Sequence, residues 1–125
     1  MELQKLEIQE SIDTPYISLD PETGICKIIG KSYPEDIATF YTQVEDWFEE
    51  YTLLGTRDLH MEMRLTYFNS ASQKVFTDIF EKLVDVKFNV KVDWYYLAED
   101  DEILENGKIY ESLMDIKFNF IPIDN

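Results

Sequence analysis

Two short β-rich runs, Tyr16 to Leu19 and Ile25 to Ile29, flank the segment Asp20-Pro21-Glu22-Thr23-Gly24. Aspartate initiates a turn, proline presets φ at the next position, and glycine accepts the positive φ that closes it, so the two runs predict a β-hairpin. Beyond Ser32-Tyr33-Pro34-Glu35, apolar residues recur at steps of three and four: Ile37, Phe40, Tyr41, Val44, Trp47, Phe48 and Tyr51. That spacing draws one continuous stripe along a helix of about five turns. Asp36, Gln43, Glu45, Glu49 and Glu50 fall off the stripe. Ser32 is placed to cap this helix with Glu35 reaching back to it, Pro34 sits where a missing N–H is harmless, and Gly55 marks the stop.

From Leu59 the period changes from 3.6 to 2. Leu59, Met61, Met63, Leu65 and Tyr67 fall on one side, and His60, Glu62, Arg64 and Thr66 on the other, which predicts a strand with one buried face over Leu59 to Phe68. A second helix begins at Asn69-Ser70-Ala71-Ser72-Gln73, with Val75, Phe76, Ile79, Phe80, Leu83 and Val84 as its stripe. A strand over Phe88 to Leu97 follows, then a weaker helix over Ile103 to Met114 interrupted by Gly107, then a short strand from Ile116 to Ile123 ending near Pro122. Residues 1–12 read as either an extra edge strand or a flexible lead-in. The order is a hairpin followed by βαβαβ-type crossovers, hence an α/β fold with a mixed sheet, parallel in its second half, packed with about three helices.

Composition narrows this further. At 125 residues with no repeat, low-complexity tract or linker, the chain suits a single domain. Apolar residues at 45% supply a core, so 30% charged residues do not imply disorder. The 26 acidic against 11 basic residues give −15, a balance that repels nucleic acid and anionic bilayers and favours partners bearing basic groups. The lone cysteine, Cys26, cannot form an internal disulfide and reads as a small buried hydrophobe. No signal peptide and no run of ~20 apolar residues is present, so a cytoplasmic location without membrane contact is expected.

Little of the chain points to catalysis. The single histidine, His60, lies on the polar side of a strand with no nucleophile beside it in sequence, and one His with one Cys makes no soft metal site. The four glycines are isolated, so no phosphate loop exists. Glu99-Asp100-Asp101-Glu102 lacks the spacing of a calcium loop and suits a solvated helix N-terminus. Trp47 and Trp94 fall at packing positions. Neither a cofactor nor a metal is expected, and a small hydrolase built on clustered carboxylates is the weakest of the readings.

The informative place is the strand-to-helix junction Tyr67-Phe68-Asn69-Ser70-Ala71-Ser72-Gln73-Lys74. Ser70 with Gln73 three residues on has the form of a capping box, a structural role worth on the order of 1 kcal/mol. A hydroxyl at a helix N-terminus could equally accept a phosphoryl group, because free amides and the positive end of the macrodipole face it. Both readings stand at this point: a constitutive binding or oligomerising module in which Ser70 is only a cap, or a switch.

These fragments, with Thr14-Pro15, the Asp20–Gly24 turn, Ser32-Tyr33-Pro34-Glu35, Trp47 and Trp94-Tyr95-Tyr96, resemble the SiaC-type bacterial regulatory phosphoproteins from about Pro15 to Ile121. The resemblance implies a STAS-like fold and a non-enzymatic signalling phosphoprotein. It implies a cognate serine/threonine kinase, a PP2C-like phosphatase and, for the unphosphorylated form, binding and stimulation of a diguanylate cyclase, linking the switch to cyclic di-GMP and biofilm formation. Carried over, the acceptor falls on Ser70, where the family pattern has Thr followed by two serines. Here the run is Ser70-Ala71-Ser72, so Ser72 becomes the second candidate. Asn69 and Gln73 would shape the site, and Lys74, one turn into the helix, would help neutralise the phosphate.

Overall fold

The computed structural model describes residues 3–54 and 57–124. Nine elements follow one another: β1 (Leu6–Ile8), β2 (Tyr16–Leu19), β3 (Ile25–Ser32), α1 (Ile37–Leu54), β4 (Leu59–Phe68), α2 (Ser70–Leu83), β5 (Val90–Leu97), α3 (Asp101–Leu113) and β6 (Lys117–Ile123). The six strands form one mixed sheet in sequence order, antiparallel from β1 to β3 and parallel from β3 to β6. The lead-in is thus an edge strand at Leu6–Ile8.

The predicted hairpin turn closes as its residues dictate. The Asp20 carboxylate accepts the Glu22 amide, the Gly24 amide donates to the Asp20 carbonyl, and Gly24 adopts φ +75°. Gly24 also lies against the Asp58 carbonyl, where a Cβ would come within 2.2 Å, so both conformation and space require glycine there.

One face of the sheet meets all three helices. Ile17, Ile28, Met63 and Trp94 align across the strands, as do Leu19, Cys26, Met61, Val92 and Phe118. Both rows join the buried residues of α1, α2 and α3 in one apolar cluster. Trp47 and Trp94 are packing residues: the Trp47 indole donates to the Gln4 carbonyl and the Trp94 indole to the Ile103 carbonyl, each at 2.8 Å. The opposite face carries the alternate residues, and among the described residues no helix lies over it. Among the described residues, no helix is long and apolar enough to cross a membrane.

Three local expectations are corrected. Ser32 does not cap α1 but ends β3 fully buried; Asp36 receives the Thr39 amide and hydroxyl instead, one residue before the helix. Gly107 does not interrupt α3: it is buried within the helix against the Trp94 indole, where a Cβ would sit 2.6 Å from ring atoms. Tyr67 does not face the core. Gly30 pairs with Leu65 but Lys31 with Tyr67, so β4 carries an extra residue, Thr66, and the inward position passes to Phe68. Tyr67 is left half exposed. The stop assigned to Gly55 lies outside the described residues.

Candidate functional site

The junction between β4 and α2 divides its labour among neighbouring residues. Asn69 is the N-cap: its backbone is extended, its side-chain oxygen accepts the Ser72 amide at 2.9 Å, and its carbonyl accepts the Gln73 amide at 2.9 Å. The expected Ser70–Gln73 capping box is therefore not formed, because Asn69, one residue earlier, takes the role. Ser70 is the first helical residue, exposed to solvent. Among the described residues no protein atom hydrogen-bonds to its hydroxyl.

Ser72 is the reverse case. It is fully buried, and its hydroxyl lies 2.7 Å from the Ser32 hydroxyl and donates to the Ser32 carbonyl at 3.0 Å. Ser32 in turn hydrogen-bonds the Tyr41 hydroxyl. Burial pushes the Tyr41 phenol well above its ordinary value, with the bonds to Ser32 and Ser72 opposing it, so it stays a neutral hydroxyl. The Ser32 carbonyl also accepts the Asn69 amide at 3.1 Å. This buried trio ties the end of β3 to the first turns of α1 and α2. The Ser72 hydroxyl, the second candidate, is therefore enclosed in the folded domain, whereas Ser70 is exposed.

The other two expected site residues frame the corner more loosely. The Gln73 carbonyl accepts the Tyr110 hydroxyl at 2.9 Å and the Thr77 hydroxyl at 3.0 Å, fixing the first turn of α2 against α3. The Lys74 ammonium is 80% exposed and lies 3.9 Å from Asp78, a solvated i,i+4 pair. The amides of Ser70 and Ala71, at the positive end of the helix, have no protein acceptor among the described residues.

Sequence reasoning missed Ser32 and Tyr41. A signal existed for Tyr41, whose place on an apolar stripe demands a partner for its hydroxyl. The partner itself lies 40 residues from Ser72 and nothing local announces the pairing. Elsewhere, Asp100 rather than its neighbours caps α3, accepting the Glu102 amide, which accounts for part of the acidic run. His60 does lie on the helix-free face, its ring nitrogen 2.6 Å from Asp93.

The junction thus combines a helix start held by Asn69 and Ser72 with one exposed hydroxyl, Ser70, on a two-layer α/β body. Residues 8–123 match the model of the SiaC family regulatory phosphoproteins, and the chain belongs to that family. An uncharacterized protein of Pseudomonas aeruginosa is 31% identical over 106 residues, covering 82% of this chain and 84% of its own. The crystal structure of apo-SiaC from Pseudomonas aeruginosa superposes with a TM-score of 0.86 at 28% identity, over 94% of this chain and 98% of that one. SiaC in complex with the diguanylate cyclase SiaD, of which it is the activator, superposes with a TM-score of 0.89 at 28% identity, over 94% and 99% of the two chains. The expected mixed α/β architecture is that of these structures, and the chain is a non-enzymatic regulator.

Proposed function

We propose that this protein is a phosphorylation-controlled partner switch whose unphosphorylated form docks on and stimulates a diguanylate cyclase. The reading is supported by the activator role of SiaC towards SiaD and, in this chain, by one observation above the rest: the exposed Ser70 hydroxyl has no structural duty, while Asn69 and Ser72 on either side carry the cap and the buried bonds. Evolution of a modifiable group is compatible with folding only where its change breaks nothing, and Ser70 meets that condition.

In the forward step, a serine/threonine kinase directs the Ser70 oxygen at the γ-phosphorus of ATP. An O–P bond forms, the bond to the β-phosphate oxygen breaks, ADP leaves, and the hydroxyl proton passes to the kinase's base. In the reverse step a PP2C-like phosphatase adds water, the serine O–P bond breaks, and inorganic phosphate is released. The phosphoryl group adds about −1.5 to −2 charges at the corner. The Ser70 and Ala71 amides and a swing of Lys74 stabilise it there, so the domain stays folded while the docking surface changes. Cytoplasmic ATP and cyclic di-GMP would be the switch's context, with biofilm formation as its output.

The test is incubation with the cognate kinase and ATP, followed by peptide mass spectrometry and a cyclase assay. Ser70 should carry the label, Ser70→Ala should bind and stimulate the cyclase constitutively, and Ser70→Asp should do neither. Labelling elsewhere, together with full stimulation by Ser70→Asp, would overturn the proposal.

A further inference from the structure

The extra residue in β4 turns Tyr67 outward beside Tyr33, and the two rings meet edge to face with centroids 5.7 Å apart. Bulges re-aim side chains, and this one leaves a phenol in solvent at the end of a strand. Tyr67 is half exposed, and its hydroxyl has no hydrogen-bond partner among the described residues. Tyr33 is fixed from both ends: its amide donates to the Asp13 carbonyl and its hydroxyl to the Ile12 carbonyl, each at 2.9 Å. Ile12 belongs to a short loop closed by the Ser11 amide, which donates to the Thr14 carbonyl at 3.0 Å, and by the Ser11 hydroxyl, which donates to the Asp13 carboxylate at 3.0 Å. That loop holds an isoleucine 85% exposed.

Single apolar residues in water are ordinary, but a linked and hydrogen-bonded set marks a contact surface, and tyrosine supplies such contacts at low entropic cost. Of the other large apolar side chains that the described residues leave exposed, Leu53 and Leu54 lie ~18 Å beyond Tyr41 along α1, and Ile109 and Leu113 sit on α3. Among the described residues, only the Ile12–Tyr33–Tyr67 set adjoins Ser70 along the backbone. Tyr67 is three residues before it, at most ~11 Å away. The Asn69 amide, donating to the Ser32 carbonyl at 3.1 Å, locks the strand end before Tyr33 to the turn that carries Ser70.

We propose that Ile12, Tyr33 and Tyr67 form the surface on which the unphosphorylated protein seats an apolar patch of its diguanylate cyclase. This rests on the switch reading above and adds where the target docks. A kinase or phosphatase must release the domain after each turnover, whereas an activator stays bound while its target works. Rigid aromatic anchors suit the second case, because they act mainly by slowing dissociation. Phosphorylation then needs no acidic group on the cyclase to release it. The phosphoryl group brings about −1.5 to −2 charges to the rim of an apolar seat, where a bound target would strip its water, and that desolvation opposes docking.

The experiment measures binding to the purified cyclase, and cyclic di-GMP formation from GTP, for the parent, Tyr67→Ala, Ile12→Ser and the control pair Ile109→Ala with Leu113→Ala. Expected are about tenfold weaker binding for Tyr67→Ala, a smaller loss for Ile12→Ser, and a change of less than about twofold for the control pair. Phosphorylation of Ser70 by the kinase should run at the parent's rate in all of them. Where Tyr67→Ala melts below the parent, Ile12→Ser decides, since its side chain is almost wholly in solvent. The inference fails if both variants bind and stimulate like the parent while Ser70→Asp does neither, because the switch then docks its target elsewhere. Full stimulation by Ser70→Asp instead removes the switch reading itself. Loss of phosphorylation in Tyr67→Ala with cyclase binding intact would assign the patch to the kinase and overturn the inference. A concentration-dependent mass of the parent that Tyr67→Ala abolishes would assign it to a second copy, with the same result.

Discussion

Three single alanine substitutions at the start of α2 separate the structural residues from the modifiable one. Asn69→Ala removes the side-chain oxygen that accepts the Ser72 amide, and loss of such a cap costs about 1 kcal/mol. Ser72→Ala removes a fully buried hydroxyl bonded to both the Ser32 hydroxyl and the Ser32 carbonyl. The partners left behind keep other bonds, Ser32 to Tyr41 and its carbonyl to the Asn69 amide, so no group is orphaned and the loss is about 1–2 kcal/mol. Ser70→Ala removes a solvated hydroxyl with no protein partner and replaces serine by the best helix former, so stability should change by less than ~0.5 kcal/mol, in either direction. At this chain length 1 kcal/mol moves the midpoint by about 3–6 °C, so the series resolves in a thermal melt checked by urea titration. The expected order is Ser70→Ala close to the parent, Asn69→Ala lower, and Ser72→Ala lowest or equal to Asn69→Ala. A Ser70→Ala protein that melts as low as Asn69→Ala would refute the division of labour and restore Ser70 as a cap.

Other parts of the fold yield further expectations. Gly107→Ala gains ~1 kcal/mol of helix propensity but drives a methyl into the indole of fully buried Trp94, an overpacking that costs about 1–3 kcal/mol, so urea titration should show a net loss of stability. Burial raises the Cys26 thiol far above its ordinary value, so iodoacetamide should leave the native protein unlabelled and modify it only on unfolding, as read by intact mass. Partial burial pulls the Asp93 carboxyl upward, but hydrogen bonds from Asn119 and His60 and the nearby positive charge bring it below its ordinary 3.8. A folded value below the unfolded one stabilises the fold above about pH 4, and the contribution disappears as pH falls through the lower folded value. Asp93→Asn should therefore flatten the acid limb of a stability–pH profile below pH ~4 and leave its alkaline limb unchanged.

What the sequence made legible was whatever its periods encode locally. The hairpin turn, the α1 stripe from Ile37 to Tyr51 and the alternation from Leu59 to Leu65 each follow from spacing within a few residues. Alternation failed at Thr66 because a bulge is set by pairing with β3, 36 residues away, and the extra residue hands the inward position from Tyr67 to Phe68. Ser32 looked like a cap because serine before Pro-Glu is a common helix start. Burial against Tyr41 and Ser72, a contact between distant segments, decided otherwise. The choice between Asn69 and Ser70 as cap turned on a one-residue difference in where helical dihedrals begin, which propensity does not resolve. Gly107 read as a helix breaker because the indole that needs its missing side chain comes from β5.

The reach of a phosphoryl group at Ser70 is short, and this limits where a phosphorylation-sensitive target can dock. Near a protein surface, unit charges 4 Å apart interact by about 4 kcal/mol, but beyond a Debye length of ~8 Å salt removes most of the effect. A target released by phosphorylation must therefore touch the first turn of α2 or its rim at Tyr67 and Lys31. Arg64 lies four residues back along β4 from Phe68, ~13 Å at 3.3 Å per residue, and Ser70 is farther still. Arg64→Glu should consequently leave cyclase stimulation, and its loss on phosphorylation, within about twofold of the parent at physiological salt, as read by the cyclase assay. A tenfold loss of stimulation in Arg64→Glu would mean that the docking surface extends along β4 well beyond the reach of charge at the corner.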